Sequence, residues 1–354
     1  IFRSITGGSV KQVESMVAED FPTLPAGCAM TLDRQSKEYV LENIRNSTKN
    51  HRVWLAQELR SLGADLTLTQ FLQETESSVE DVYERSGRSW SELRIRAGFL
   101  KEHPQSRAWK AVARLRAVDD PCLLNAWLQI LETPSGPLRA ALLKPAAMLA
   151  STLLGTLESD APELLLACLS SDEVLCCELR SLFNALLGRV SHVPISMADL
   201  LSTPLQIHCN YSLDHIMAAF GIDRRPREGV FYKPERQADL LFVTLQKSEK
   251  EYSPRTMYKD YAISSQFFHW ESQNRTSPES PTGRRYIKKD RPEIPTLLFI
   301  RKTQKGRGNE TEPYMLAGPV SYVKHVGSRP MQITWRLDHP LPGDWFKVAR
   351  VAAC

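Results

Sequence analysis

The chain has 354 residues, 42% of them hydrophobic, and carries 45 Lys and Arg against 41 Asp and Glu for a formal net charge of +4. That length and apolar content suit two or three folded domains and exclude a disordered chain. Seven cysteines without a C-x-x-C pair, two of them adjacent (Cys176 and Cys177), fit buried packing in a reducing cytoplasm and not a disulfide framework.

A start at Ile1 reads as an excised piece of a longer protein. Residues 1–50 form an irregular connector, turn-rich over 21–27, with Asp33 as the expected cap of a helix to about 47. Helical patterns follow near 51–62, 67–76, 78–86 and 89–99, and Ser78 with Asp81 three residues on marks one helix start. Segment 121–131 is apolar almost all round, as expected of a helix buried among others, and 137–154, 161–170 and 173–189 resemble it. The most apolar run, 138–154, is broken by Arg139, Lys144 and Pro145, too short and too charged to span a bilayer, so no membrane is expected as a partner. A last helix near 212–220 ends at Gly221, a good C-cap residue. Together 51–221 read as a helical coupling or scaffold domain.

The texture then changes. Residues 221–354 hold 24 Lys and Arg against 15 Asp and Glu, a net of +9, and 16 of the 29 aromatic residues. Short strands are expected at 229–232, 238–245, 296–301, 314–317, 321–323 and 331–337, with a long exposed loop over 272–295. The charged linker Asp223-Arg224-Arg225-Pro226-Arg227 sets the boundary, so 222–354 read as a β-rich domain. A basic, aromatic-rich module on a mildly acidic one fits a nucleic-acid face on a scaffold. The plainer alternative is a basic domain with an aromatic core.

Catalytic chemistry finds no foothold. There is no Gly-rich phosphate loop for ATP and no zinc-hydrolase motif. His208 and His215 flank Cys209 but read as partly buried residues, so no metal and no cofactor are expected in this fragment. Asp239 with Glu249 and Lys250 has the wrong spacing for a nuclease core.

The informative stretch is 240–273, where Tyr252, Tyr258, Asp260, Tyr261, Phe268, His269, Trp270 and Gln273 have the makings of a nucleobase pocket. Flat π faces stack on a base, a carboxylate or amide reads its edge, and stacking contributes roughly 1–3 kcal/mol per base. Any one of these aromatics reads more simply as core. As a group they favour a pocket, because Tyr252, Tyr258 and Tyr261 sit in polar sequence outside a strand pattern. Lys247, Lys250, Arg255, Arg275, Arg284, Arg285, Lys288, Lys324 and Arg329 are the candidate phosphate contacts.

The same residues carry a family likeness. Phe242-Val-Thr-Leu-Gln-Lys-Ser-Glu-Lys-Glu-Tyr-Ser-Pro, Thr256-Met-Tyr-Lys-Asp-Tyr-Ala-Ile-Ser, Phe268-His-Trp-Glu-Ser-Gln and Thr276-Ser-Pro-Glu-Ser-Pro-Thr-Gly-Arg-Arg-Tyr are long and unusual phrases. With Leu297-Leu-Phe-Ile-Arg and Gly327-Ser-Arg-Pro-Met, segment 229–342 resembles the C-terminal domain of unknown function (DUF 3427) attached to bacterial superfamily-2 helicases. Upstream, Phe21-Pro-Thr-Leu-Pro-Ala-Gly-Cys-Ala-Met-Thr-Leu-Asp-Arg is similar to the segment that follows the motor in those proteins. Some of them are ATP-dependent, modification-dependent (type IV) restriction endonucleases with a phospholipase-D-type nuclease domain. The resemblance therefore implies a non-catalytic target-recognition region that reads 5-methyl- or 5-hydroxymethylcytosine in double-stranded DNA. Its expected partners are the helicase and nuclease domains of the same parent chain, with ATP and Mg in the motor.

The expected fold is α+β, an all-helical N-terminal region followed by a compact, mostly β domain. A barrel of the base-flipping (SRA/PUA-like) kind is one form that domain is expected to take. Two alternative functions stand beside it: a scaffold coupling the motor to partner subunits, and a reader of another DNA mark.

Overall fold

The computed structural model describes residues 51–101, 106–197, 201–226, 229–233, 238–246, 260–287, 293–306 and 310–351. Its helices begin where the local chemistry says they should. Thr67 opens the Leu68–Glu74 helix with a capping box, its hydroxyl accepting from Gln70 N while Gln70 Oε1 accepts from Thr67 N at 3.0 Å. Ser78 and Asp81 form the second box, at the head of Val79–Val82. Asp120 caps Pro121–Glu132 by accepting from Cys122 N and Leu123 N, and Pro121 at the first helical position forfeits only a donor that would be orphaned anyway.

The helices Ala140–Leu153 and Glu173–Leu187 pack against it, Pro145 being tolerated inside the first, and Ala161–Ser171 packs against both of these. The buried Glu178 ties the bundle together: its carboxylate accepts from Tyr83 OH at 2.6 Å, Trp90 N at 3.0 Å and Ser91 N at 2.7 Å. Among the described residues no helix is long and apolar enough to cross a membrane.

The second half is a mixed eight-stranded sheet, so the protein is α+β. Its strands are β3 (Asn210–Tyr211), β4 (Val230–Lys233), β5 (Ala238–Thr244), β6 (Tyr261–Ala262), β7 (Phe267–Glu271), β8 (Thr296–Arg301), β9 (Tyr314–Val326) and β10 (Gln332–Leu337). The order is β4-β5-β8-β9-β10-β7-β6, with β3 on β9, and only β5 and β8 run parallel. A separate pair, β1 (Ile195–Ser196) and β2 (Gln206–Ile207), precedes it. The expected barrel is not there: among the described residues the path ends at β4 and at β6, and the sheet is open.

Strand β9 joins the two halves of this sheet. The first half of β9 pairs with β8 and β3, the second with β10, and irregular register at Leu298/Phe299 and at Thr334/Trp335 bends the ladder. Gly318, at φ +101°, supplies the backbone conformation needed beside the first irregularity. Two cores result. Leu240, Phe242, Leu297, Phe299, Tyr314 and Leu316 face the helical region and share its core. Leu241, Val243, Leu298 and Ile300 face the other way, with Phe268, Trp270, Ile333 and Trp335 from β7 and β10. A strand covered on both faces reads as an unbroken apolar run, which is how β5 and β8 appear.

The stretch expected as an exposed loop over 272–295 is instead partly ordered. It contains the Pro281–Tyr286 helix, with Tyr286, Thr276 and Ser277 buried. Ser280 caps that helix by accepting from Gly283 N at 3.1 Å. A side chain at Gly283 would collide with Ser277 O, so only glycine lets the helix sit this close.

Candidate functional site

Where the Pro281–Tyr286 helix lies over β4 and β5, a cleft of about 750 Å³ opens, within the range of roughly 300–1,000 Å³ typical of small-ligand sites. Arginines from three segments line it: Arg224 and Arg225 ahead of β4, Arg275 after β7, and Arg285 on the helix. Tyr232, Asp239, Gln273, Thr282 and Tyr286 complete its polar and aromatic wall.

The register places these groups. Tyr232 of β4 and Asp239 of β5 are direct cross-strand partners, so their side chains emerge on one face. Asp239 is 2% exposed, and its Oδ2 accepts from Arg285 Nε at 2.7 Å. The Arg285 guanidinium lies 3.6 Å from the centre of the Tyr232 ring, a cation–π stack on a charge-assisted hydrogen bond. Only one of the five guanidinium N–H groups is used in that bond. At the rim, Arg225 makes a two-pronged ion pair with Asp214, which raises the arginine's pKa. Arg224 makes no ion pair among the described residues. The cleft can thus offer cations to phosphate oxygens, the stacked Tyr232–Arg285 pair to a base or ring, and an amide to its edge.

The sequence-derived candidates divide. Gln273, Arg275 and Arg285 converge on the cleft. Tyr261 and His269 are cross-strand partners on β6 and β7, stacked at 4.6 Å between ring centres, at the other end of the strand order. Phe268 and Trp270 are not pocket walls: both are buried in the second core, where Tyr286 and Trp335 pack against Trp270. Asp260 is buried, and its Oδ1 accepts from Glu271 N at 3.0 Å, which bridges the start of β6 to the end of β7. Arg284, Lys324 and Arg329 are exposed and do not line the cleft. Tyr252, Tyr258, Lys247, Lys250, Arg255 and Lys288 lie outside the described residues.

The cleft residues that sequence reasoning missed are Arg224, Arg225, Tyr232, Asp239, Thr282 and Tyr286. Ser280-Pro281, a cap residue followed by proline, was the one local signal that could have revealed the helix carrying Arg285. Two matched phrases also prove to be mutually dependent. Arg329 N donates to Thr276 O, and Ser272 and Met331 exchange backbone and side-chain hydrogen bonds at 2.9 Å, so 327–331 buttresses 272–277.

Residues 205–349 match the family model described as a domain of unknown function (DUF3427). The matched segment takes in β2, β3, the whole cleft and the entire eight-stranded sheet. No curated protein matches the chain. Outside the cleft, one group among the described residues could hold a metal ion: Asp119, His192 and Cys209, of which only Cys209 lies within the DUF3427 segment.

Proposed function

We propose that this chain is a non-catalytic DNA-reading region, in which the arginine-lined cleft grips the phosphate backbone and receives a nucleobase. One observation carries the reading: Arg224, Arg225, Arg275 and Arg285 converge with Tyr232, Tyr286 and Gln273 around a single cleft. Cations supply sequence-independent, salt-sensitive affinity, while a π face and an amide supply discrimination. The net charge of +9 over 221–354 supports the same reading. In its finer form, resting on the resemblance of 229–342, the base is 5-methyl- or 5-hydroxymethylcytosine. The parent is then an ATP-dependent, modification-dependent restriction enzyme whose motor and nuclease domains lie elsewhere.

A second reading is favoured by the continuous core that joins the helices to one face of the sheet. Two halves locked in this way make a rigid lever, suited to coupling a motor to a partner subunit. A fluorescence titration separates the two. The chain is tested against matched duplexes carrying plain, 5-methyl- and 5-hydroxymethylcytosine at two salt concentrations. Preference for a modified duplex that survives higher salt is the expected result. Equal, salt-sensitive binding would remove base reading, and no binding would leave the scaffold.

A further inference from the structure

The strongest unassigned chemistry lies at the seam between the helices and the sheet. Asp119 sits in the short link before the Pro121–Glu132 helix, His192 just beyond the Glu173–Leu187 helix, and Cys209 in the turn between β2 and β3. These segments are far apart in sequence, yet one ligand atom from each lies within 4.8 Å of the other two. His192 Nε2 is 3.3 Å from Cys209 Sγ. In a tetrahedral zinc site, with Zn–S about 2.3 Å and Zn–N about 2.0–2.1 Å, the same two atoms stand about 3.6 Å apart. The pair needs only a small adjustment to admit an ion.

We propose that Asp119, His192 and Cys209 form a zinc site that staples the helical region to the turn leading into β3. The donor set is thiolate, imidazole and carboxylate, the set that suits a borderline-soft divalent cation. The surroundings are built as metal sites are built. Asp119 is oriented by Asn210, whose backbone N donates to Oδ1 at 2.7 Å and whose Nδ2 donates to Oδ2 at 2.5 Å. Each carboxylate oxygen keeps a second lone pair for an ion, and such outer hydrogen bonds fix first-shell ligands. The Cys209 backbone is held in turn, its carbonyl accepting from Leu316 N of β9 at 3.0 Å. Cys209 is buried while Asp119 and His192 are half-buried, so the fourth position opens toward solvent and takes water. Next in the chain, His208 carries a buried Nε2 with no hydrogen-bond partner among the described residues, an imidazole nitrogen that the local hydrogen bonding leaves unused.

The competing explanation is a plain thiol–imidazole hydrogen bond. The purified chain is dialysed against buffered, sub-micromolar free zinc, and retained metal is counted by elemental analysis. One zinc per chain is expected, together with a thiolate-to-metal charge-transfer band when cobalt replaces zinc. Cys209→Ser should lose the band, and His192→Ala should weaken zinc binding by more than the roughly 10–100-fold that loss of an outer-shell partner costs. Asn210→Ala, which removes only such a partner, should fall inside that range. Cys176→Ser, at a buried thiol elsewhere, should retain the metal. If the buried Cys209→Ser variant fails to fold, the half-exposed His192→Ala and Asp119→Asn variants carry the test, with circular dichroism confirming their fold. A wild-type chain that retains no zinc overturns the proposal, as does wild-type retention in folded His192→Ala and Asp119→Asn.

Discussion

Arg285 is held from two sides: its Nε donates to the buried Asp239 at 2.7 Å, and its guanidinium stacks 3.6 Å from the centre of the Tyr232 ring. Both contacts depend on the Pro281–Tyr286 helix lying against β4 and β5. The arginine is therefore preorganised, and the entropy of ordering its long side chain is spent on folding and not on binding a ligand.

Breaking the pair from the acidic side should be costly. Asp239→Ala leaves a guanidinium that is only 13% exposed without its partner, and unfolding in urea should show a loss of about 3–5 kcal/mol. Arg285→Lys keeps the charge but gives up the planar stack, so it should weaken DNA binding more than it weakens the fold. A fold-stability loss in Arg285→Lys as large as that of Asp239→Ala would argue against a binding role.

The rim arginines should act through charge alone. Arg224→Ala and Arg275→Ala should each reduce affinity for all duplexes alike and lower the slope of log affinity against log salt by about 1. Lys110→Ala, an exposed cation on the helical region, should leave that slope unchanged. Titrations at several salt concentrations give the slopes directly.

Acid should destabilise the helical half through His215. This residue is buried, bonded through Nε2 to Thr152 Oγ1 at 2.8 Å and packed edge-on against Trp127, and burial lowers its pKa from 6.5 to about 4 despite the neighbouring Asp214. A base kept neutral in the fold contributes its full stability above the unfolded value of 6.5. That contribution is lost as pH falls from 6.5 toward 4, and amounts to roughly 3 kcal/mol. The difference in stability between wild type and His215→Gln, followed by denaturant unfolding from pH 7.5 to 4, should shrink over that window.

Glu178 should be among the most sensitive positions of the bundle. Glu178→Ala strands one hydroxyl and two backbone N–H donors in a buried place, and thermal or urea unfolding should register a loss of about 3 kcal/mol or more. Tyr83→Phe, which removes only one of the three donors, should cost about 1 kcal/mol.

What the sequence disclosed follows the range of the interaction. Capping at Ser78–Asp81 and the all-apolar helix at 121–131 depend on neighbours a few residues away and could be read directly. The same is true of the change of texture after Gly221. Strand β9 was expected as two strands because Gly318-Pro319 looks like a turn, whereas Pro319 sits opposite Leu297 inside the ladder. Aromatic density at 267–270 suggested a pocket. Its alternation of half-buried Phe267 and His269 with buried Phe268 and Trp270 is the period of a strand with one face in the core. The cleft was the least legible feature, because Arg224, Tyr232, Asp239, Gln273 and Arg285 meet only through sheet register and a six-residue helix.

The position of β3 bears on how the protein can be cut. Asn210 and Tyr211 pair with Met315 and Tyr314, and His208 and Cys209 exchange backbone hydrogen bonds with Leu316. A fragment starting at residue 222 would keep seven strands of the sheet but strip this flank from β9, baring unpaired N–H and C=O groups beside Tyr314 and Leu316. Bare apolar strand of that kind recruits other chains. A soluble fragment carrying the sheet should therefore begin ahead of residue 206, and one trimmed at the charged linker should aggregate.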